Sequence, residues 1–218
     1  MKTTTAHHPQ AFHAGNFRNI CDTLATNDPD LNRVLAAHGY PPMWTRENSF
    51  ETLVHIILEQ QVSLASALAS LNMLQKKTKT ISPESILALS DEEMRGCYVS
   101  RQKTGYIRGL ATAISSGEIQ LAQFKDLPDE AVRARLIQLK GIGNWTIDIY
   151  LMFVLQRADI FPVGDLAAVN ALKRLKGLSP ASSKDDIVVL AQRWQPYRTV
   201  ATMMLWHYYL SAMRKKVV

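Results

Sequence analysis

Cysteine is almost missing from this chain. Cys21 and Cys97 are the only two in 218 residues, and neither has histidine partners at metal-ligand spacing. That excludes a zinc or iron–sulfur centre built on cysteine and a disulfide framework, and it fits a reducing compartment. Long apolar runs are missing too. No stretch reaches the roughly 18 residues that a membrane span needs, so no membrane association is expected. The opening "MKTTTAHHPQAFHAG" has no apolar core of the kind a secretory signal carries and reads as a flexible polar arm over residues 1–16. Alternating apolar and polar residues over strand length are absent, as are Asn-Gly and Asp-Gly hairpin turns. Acid is in deficit: 19 Asp and Glu against 25 Lys and Arg leave a formal charge of +6. Such a balance favours a polyanionic partner, because neutralised phosphates release condensed counterions.

What remains is helix punctuation. "DPDLNRVLAAHG" offers Asp28 as cap, Pro29 in the first turn and Gly39 as stop. "NSFETLVHIILEQQ" spaces Asn48 and Glu51 as a capping box, and "SDEEMRGC" does so with Ser90 and Glu93. Further helices are expected over "SRQKTGYIRGLATAISSG", "PDEAVRARLIQLKG", "NWTIDIYLMFVLQ", "DLAAVNALKRLKG", "SKDDIVVLAQRW" and "PYRTVATMMLWHYYLSAMRKK". The fold class is all-α.

One place interrupts this pattern. "LKGIGNWTIDIY", residues 139–150, sets Gly141 and Gly143 one residue apart between two helices, at a cost of about 1 kcal/mol each if they were helical. Glycine admits positive φ and close approach of another backbone. The restarted helix presents its first amides from Gly143 onward, a ready site for an anion such as a phosphodiester. A plain C-cap followed by a new helix is the alternative reading. Downstream, Asp165 in "FPVGDLAAVNALKRL" stands at a helix start, as an N-cap or as a carboxylate that the helix dipole keeps ionised.

These segments together resemble the helix-hairpin-helix (HhH-GPD) DNA glycosylase superfamily, in particular its 3-methyladenine DNA glycosylase II branch. The likeness runs from about Asp30 to about Arg214. "LKGIGNWT" is similar to the hairpin, within a motif over about residues 132–155. "IILEQQVSLASA" is similar to the QQ-x-S junction, "VSRQKTGYIRGLA" to S-x-x-K-x-x-Y-I-x-x-L-A, and "RWQPYRTVATMMLW" to W-x-P-Y-R-T.

The resemblance implies two packed helical subdomains over residues 17–218 with an active-site cleft between them, and a monomer acting on double-stranded DNA that contains alkylated bases. Asp165 would be the catalytic carboxylate and Trp145 and Trp206 walls of the base pocket. Gln61, Ser63, Lys103, Gly141, Gly143 and Thr146 would contact DNA, with Gln61 filling the gap left by an extruded base. Plainer roles stand beside these: an exposed glutamine for Gln61, core packing for the tryptophans, a solvated helix face for Lys103, and support of the turn for Thr146. Asp148 is expected to be a buried structural acid, and His55 and His207 core histidines. Family members often carry two acids before this helix; here Gly164 precedes Asp165.

Bifunctional relatives have a lysine two residues beyond the second hairpin glycine. Trp145 stands there instead, so the expected reaction is hydrolysis of the N-glycosidic bond without strand cleavage. No cofactor or metal is required by this chemistry; a monovalent cation on the hairpin carbonyls, known in relatives, is a candidate. The location would be cytoplasmic and nucleoid-associated in a bacterium, nuclear in a eukaryote. A glycosylase for deaminated or oxidised bases, and a non-catalytic hairpin protein that binds DNA structure, remain as alternatives.

Overall fold

Small polar residues start nearly every helix of this protein. The computed structural model describes residues 10–214, with side chains as far as residue 212. Its α-helices are α1 (Phe17–Asn27), α2 (Pro29–His38), α3 (Phe50–Glu59), α4 (Leu64–Thr78), α5 (Pro83–Leu87), α6 (Asp91–Gly96), α7 (Arg101–Ser115), α8 (Asp129–Leu136), α9 (Asn144–Phe153), α10 (Leu166–Leu175), α11 (Lys184–Ala191) and α12 (Arg198–Arg214). One antiparallel bridge, Ala11 with Arg157, is the sole extended pairing among the described residues. The fold is all-α.

Asp28, Ser63, Ser90, Ser100, Asp165 and Ser183 each accept a hydrogen bond from an amide of the helix they precede. Helices α1, α4 and α5 lie outside the helices read from the sequence, and the boundaries of α3 and α8 are among those that shift. The cap of α3 is Ser49, whose short side chain reaches Thr52 N at 3.2 Å. Asn48 therefore lies outside the helix, where it donates to Leu121 O and accepts from the Tyr150 hydroxyl. Helix α8 stops at Leu136 rather than Gly141, leaving residues 137–143 to form a turn.

The chain divides into two units, the first described over Arg46–Tyr150 and the second over Gln10–Thr45 together with Leu151 onward. In the first, α3 packs against α4 and α7, and α7 also covers α5 and α6. Leu53, Ile56 and Ile57 of α3, Leu74 of α4, and Ile107 and Leu110 of α7 are fully buried. At about 25 cal/mol per Å² removed from water, such side chains supply the stabilisation that holds a helical layer together. Two turns of this unit repeat one device. Gln61 (φ 57°) and Tyr98 (φ 61°) adopt the left-handed region, and each is followed by Val-Ser, the serine capping the next helix. Each turn is held from the helix that the other begins. Lys103 Nζ of α7 donates to Leu58 O and Gln60 O, and Ser70 Oγ of α4 donates to Tyr98 O.

In the second unit α12 packs against α1, α2 and α10. Phe12, Phe17, Leu31, Leu172, Trp194, Met203 and Leu205 belong to one buried cluster. The expected flexible arm is fastened over its described part. Phe12 is fully buried, its amide donates to Gln156 O, and Ala158 N donates to Gln10 O. Burial of the Phe12 ring and these backbone hydrogen bonds together oppose the entropy lost in ordering the segment. Residues 1–9, with His7 and His8, lie outside the described residues. Asp28 does more than cap α2: its carboxylate, 2% exposed, accepts from Lys176 Nζ at 2.6 and 2.7 Å and from Trp194 Nε1 at 2.9 Å.

Candidate active site

In the first unit the turn between α8 and α9 has the shape the two glycines imply, but for different reasons at each. Gly141 has φ +88°, and a Cβ there would lie 2.1 Å from Cγ of Tyr106. Both backbone conformation and the tyrosine ring demand glycine. Gly143 has ordinary φ, is exposed, and nothing lies within 4 Å of where a side chain would sit. The first helical bond of α9 runs from Ile147 N to Gly143 O. A helix N-terminus of this kind is the arrangement that suits an anion. Ile142, 3% exposed, anchors the turn in the core.

Thr146 is 2% exposed and its Oγ1 accepts from Gln60 Nε2 at 2.9 Å. Its place is support of the turn, the plainer of its two expected roles. Asp148 is buried and bonded to Arg133. Burial pushes its carboxyl up and the guanidinium opposes that, a structural pairing as expected. Trp145 is half-buried in the first turn of α9.

Lys103 departs from its expected phosphate contact. Its ammonium caps the end of α3, 2.6 Å from Leu58 O and 2.9 Å from Gln60 O, and burial holds it below the ordinary lysine range. A cation at a helix C-terminus answers both the unpaired carbonyls and the dipole. Gln61 is exposed at the tip of the α3–α4 turn, between Gln60 and the half-exposed Val62. Ser63 caps α4 through Ser66 N, also in the exposed stretch.

The second unit holds the carboxylate. Asp165 Oδ1 accepts from Ala168 N at 2.8 Å, the N-cap bond of α10, and from Trp206 Nε1 at 3.0 Å. Two donors on one oxygen fix the direction of the carboxylate. The Trp206 ring meets Trp44 edge-on, centroids 6.3 Å apart, and Phe153 at 5.5 Å. The segment leading to Asp165 is stitched to the start of α12. Arg198 pairs with the Asp159 carboxylate, and Thr199 Oγ1 donates to Arg157 O and accepts from Ile160 N. His207 and His55 have structural partners, His38 O and Glu59. Among the described residues no group of three or more His, Cys, Asp or Glu could hold a metal ion.

The structure thus brings Gly141 and Thr146 together in one unit and Asp165 and Trp206 together in the other. Sequence reasoning missed Gln60, Tyr106, Trp44 and Phe153. The Lys103–Tyr106 spacing, one helical turn, could have flagged Tyr106. Nothing in the sequence separates the inward Gln60 from the outward Gln61.

Comparison with known proteins bears on the family and the fold. The profile of the HhH-GPD superfamily of base excision DNA repair proteins matches residues 54–196. DNA-3-methyladenine glycosylase 1 of Schizosaccharomyces pombe is 31% identical over 84% of this chain and 83% of its own length. YfjP of Bacillus subtilis, provisionally named a DNA-3-methyladenine glycosylase, is 28% identical over 81% of this chain, which spans 64% of that longer relative. The structure of Schizosaccharomyces pombe 3-methyladenine DNA glycosylase (Mag1) in complex with abasic DNA superposes with a TM-score of 0.79 at 28% identity, covering 86% of this chain and 95% of that one. The chain belongs to the HhH-GPD superfamily of base excision DNA repair proteins.

Proposed function

We propose that this protein is a DNA glycosylase that hydrolyses the N-glycosidic bond of alkylated purines in duplex DNA, acting as a monomer and leaving an abasic site. The observation that carries the reading is the Asp165 carboxylate, aimed by the α10 amide and the Trp206 indole. The relatives named above, 3-methyladenine glycosylases, support the substrate class.

Alkylation at N3 or N7 makes a purine cationic and a good leaving group, so no general acid is needed. The carboxylate stabilises the positive charge that grows on the sugar as the bond breaks, or orients water toward C1′. A cationic base gains roughly 0.5–2 kcal/mol over an indole face, a role for which Trp145 and Trp206 are the candidates. The Gly143 end of α9 would hold a backbone phosphate and Gln61 would fill the stack after extrusion. With Trp145 where a Schiff-base lysine would stand, the sugar has no amine to capture it. A monovalent cation on the hairpin carbonyls is a candidate ligand; in that turn Leu139 O accepts from Ile142 N and Gly141 O from Gln60 Nε2. No step of the hydrolysis passes through it.

The test is incubation of the protein with methylated duplex DNA, with chromatography of the freed bases and gels run before and after alkali. Free methylated purines, with nicks appearing only after alkali, are expected. Nicks before alkali would overturn the monofunctional reading, and no free base would overturn the substrate class.

A further inference from the structure

Gln60, unlike its exposed neighbour, turns inward. Its Nε2 donates to Gly141 O at 2.8 Å and to Thr146 Oγ1 at 2.9 Å, so one carboxamide grips both sides of the hairpin turn. An amide nitrogen carries two hydrogens and can make both bonds at once. The backbone of the same residue is held by Lys103. Lys103 and Tyr106 lie one turn apart on α7 and brace the same two places, Lys103 under the α3–α4 turn and Tyr106 against Gly141. The next residue, Gln61, sits in left-handed backbone, a conformation that persists only where its surroundings over-determine it.

We propose that Gln60 is a positioning residue for base extrusion. It locks the turn that carries Gln61 to the hairpin that carries Gly143, so that plug and phosphate clamp engage the duplex as one body. The inference rests on the glycosylase reading and on Gln61 as the plug.

Extruding a paired base costs a few kcal/mol of unpairing and unstacking. A plug offsets that only if its reach is fixed relative to the gripped phosphate, and errors near 1 Å in such placements cost about 100-fold in rate. Gln60 spans the two elements whose spacing matters, through two partly buried bonds, one of them to the buried Thr146 hydroxyl. It touches no reacting atom. Its loss should therefore be felt where extrusion is difficult and hardly at all where the base is already out.

The experiment compares single-turnover release from two duplexes that share one 7-methylguanine strand. One complement pairs the lesion with cytosine, and the other lacks that nucleotide and leaves the lesion bulged. Gln60→Met, of similar length but without a donor, should slow release from the paired duplex about tenfold or more and from the bulge about threefold or less. Thr146→Val, which removes one acceptor and keeps the shape, should show the same asymmetry at smaller size. Thermal melting is recorded for both. Equal slowing on both duplexes, following the fall in melting temperature, would reduce Gln60 to a structural strut and overturn the proposal. No slowing on either would overturn it too. Wild type that releases base from neither duplex would sink the glycosylase reading itself, an outcome visible without any variant.

Discussion

The indole Nε1 of Trp206 donates to Oδ1 of Asp165 across 3.0 Å, the same oxygen that caps α10. A residue read from sequence as a pocket wall is thus also a partner of the carboxylate. The hydrogen bond links the C-terminal helix to the loop that delivers Asp165, and the stitching of Arg198 and Thr199 to residues 157–160 fixes the near end of the same loop.

Replacing the indole separates its two tasks. Trp206→Phe keeps an aromatic ring beside Trp44 and Phe153 but removes the donor. A hydrogen bond to a charged group contributes about 1.5–3 kcal/mol when buried, and this one is only half-buried, so base release should slow about tenfold. Trp206→Ala should be worse, since the ring is lost as well. Single-turnover rates on methylated duplex measure both; a Phe variant at the wild-type rate would show that the indole N–H does not aim Asp165.

The two hairpin glycines should respond in opposite ways. Gly141→Ala must place a methyl inside the Tyr106 ring, which Gln102 holds through its hydroxyl, and must do so at positive φ. Destabilisation on the order of 2–4 kcal/mol is expected. Gly143→Ala meets no neighbour and should cost less than about 1 kcal/mol. Its damage should appear in DNA affinity, by about tenfold, because a methyl now stands where the phosphate would approach. Denaturant melts and binding titrations on both variants test this. A stable Gly141→Ala protein, or unaltered DNA binding by Gly143→Ala, would contradict it.

Away from the site, Asp28 ties stability to pH. Burial alone would raise its carboxyl, but the Lys176 ammonium and the Trp194 indole together hold it below the ordinary aspartate value. The folded state therefore binds the proton less readily than the unfolded chain. The stabilisation is fully present above the unfolded value near pH 4 and is lost as pH falls through the lower folded value. Asp28→Asn should destabilise the protein by about 3 kcal/mol at neutral pH, because the Lys176 charge loses half of its carboxylate shell. It should also flatten the acid limb of the stability curve. An unchanged acid limb in urea melts between pH 3 and 7 would show that Asp28 is not the group responsible.

Much of this architecture is legible in residue order, and the exceptions have physical causes. Helix starts follow from Ser and Asp because orphan amides need acceptors locally, but residue type does not decide between the adjacent cap-formers Asn48 and Ser49, and the starts of α1, α4 and α5 are not picked out. Asp165 is legible as a cap and, by resemblance, as the carboxylate. Its bond to Trp206 joins residues 41 positions apart and leaves no local signal. Lys103 and Gln60 show the same limit. Whether a lysine meets solvent or a helix end, and which of two glutamines turns inward, is decided by a turn whose geometry lies in φ rather than in residue type. Over residues 10–16 the composition is polar and suggests a loose arm, but Phe12 is buried and the backbone of Gln10 and Phe12 pairs with Ala158 and Gln156, contacts that leave no local signal.

The central claim is that Asp165 carries the chemistry, and one substitution addresses it directly. Asp165→Asn preserves the size of the side chain and the oxygen that caps α10 while removing the charge. Release of methylated purines from duplex DNA should fall by about 100-fold or more, with DNA affinity kept or improved because a negative charge near phosphates is gone. Release at close to the wild-type rate by a folded Asp165→Asn protein would contradict the account.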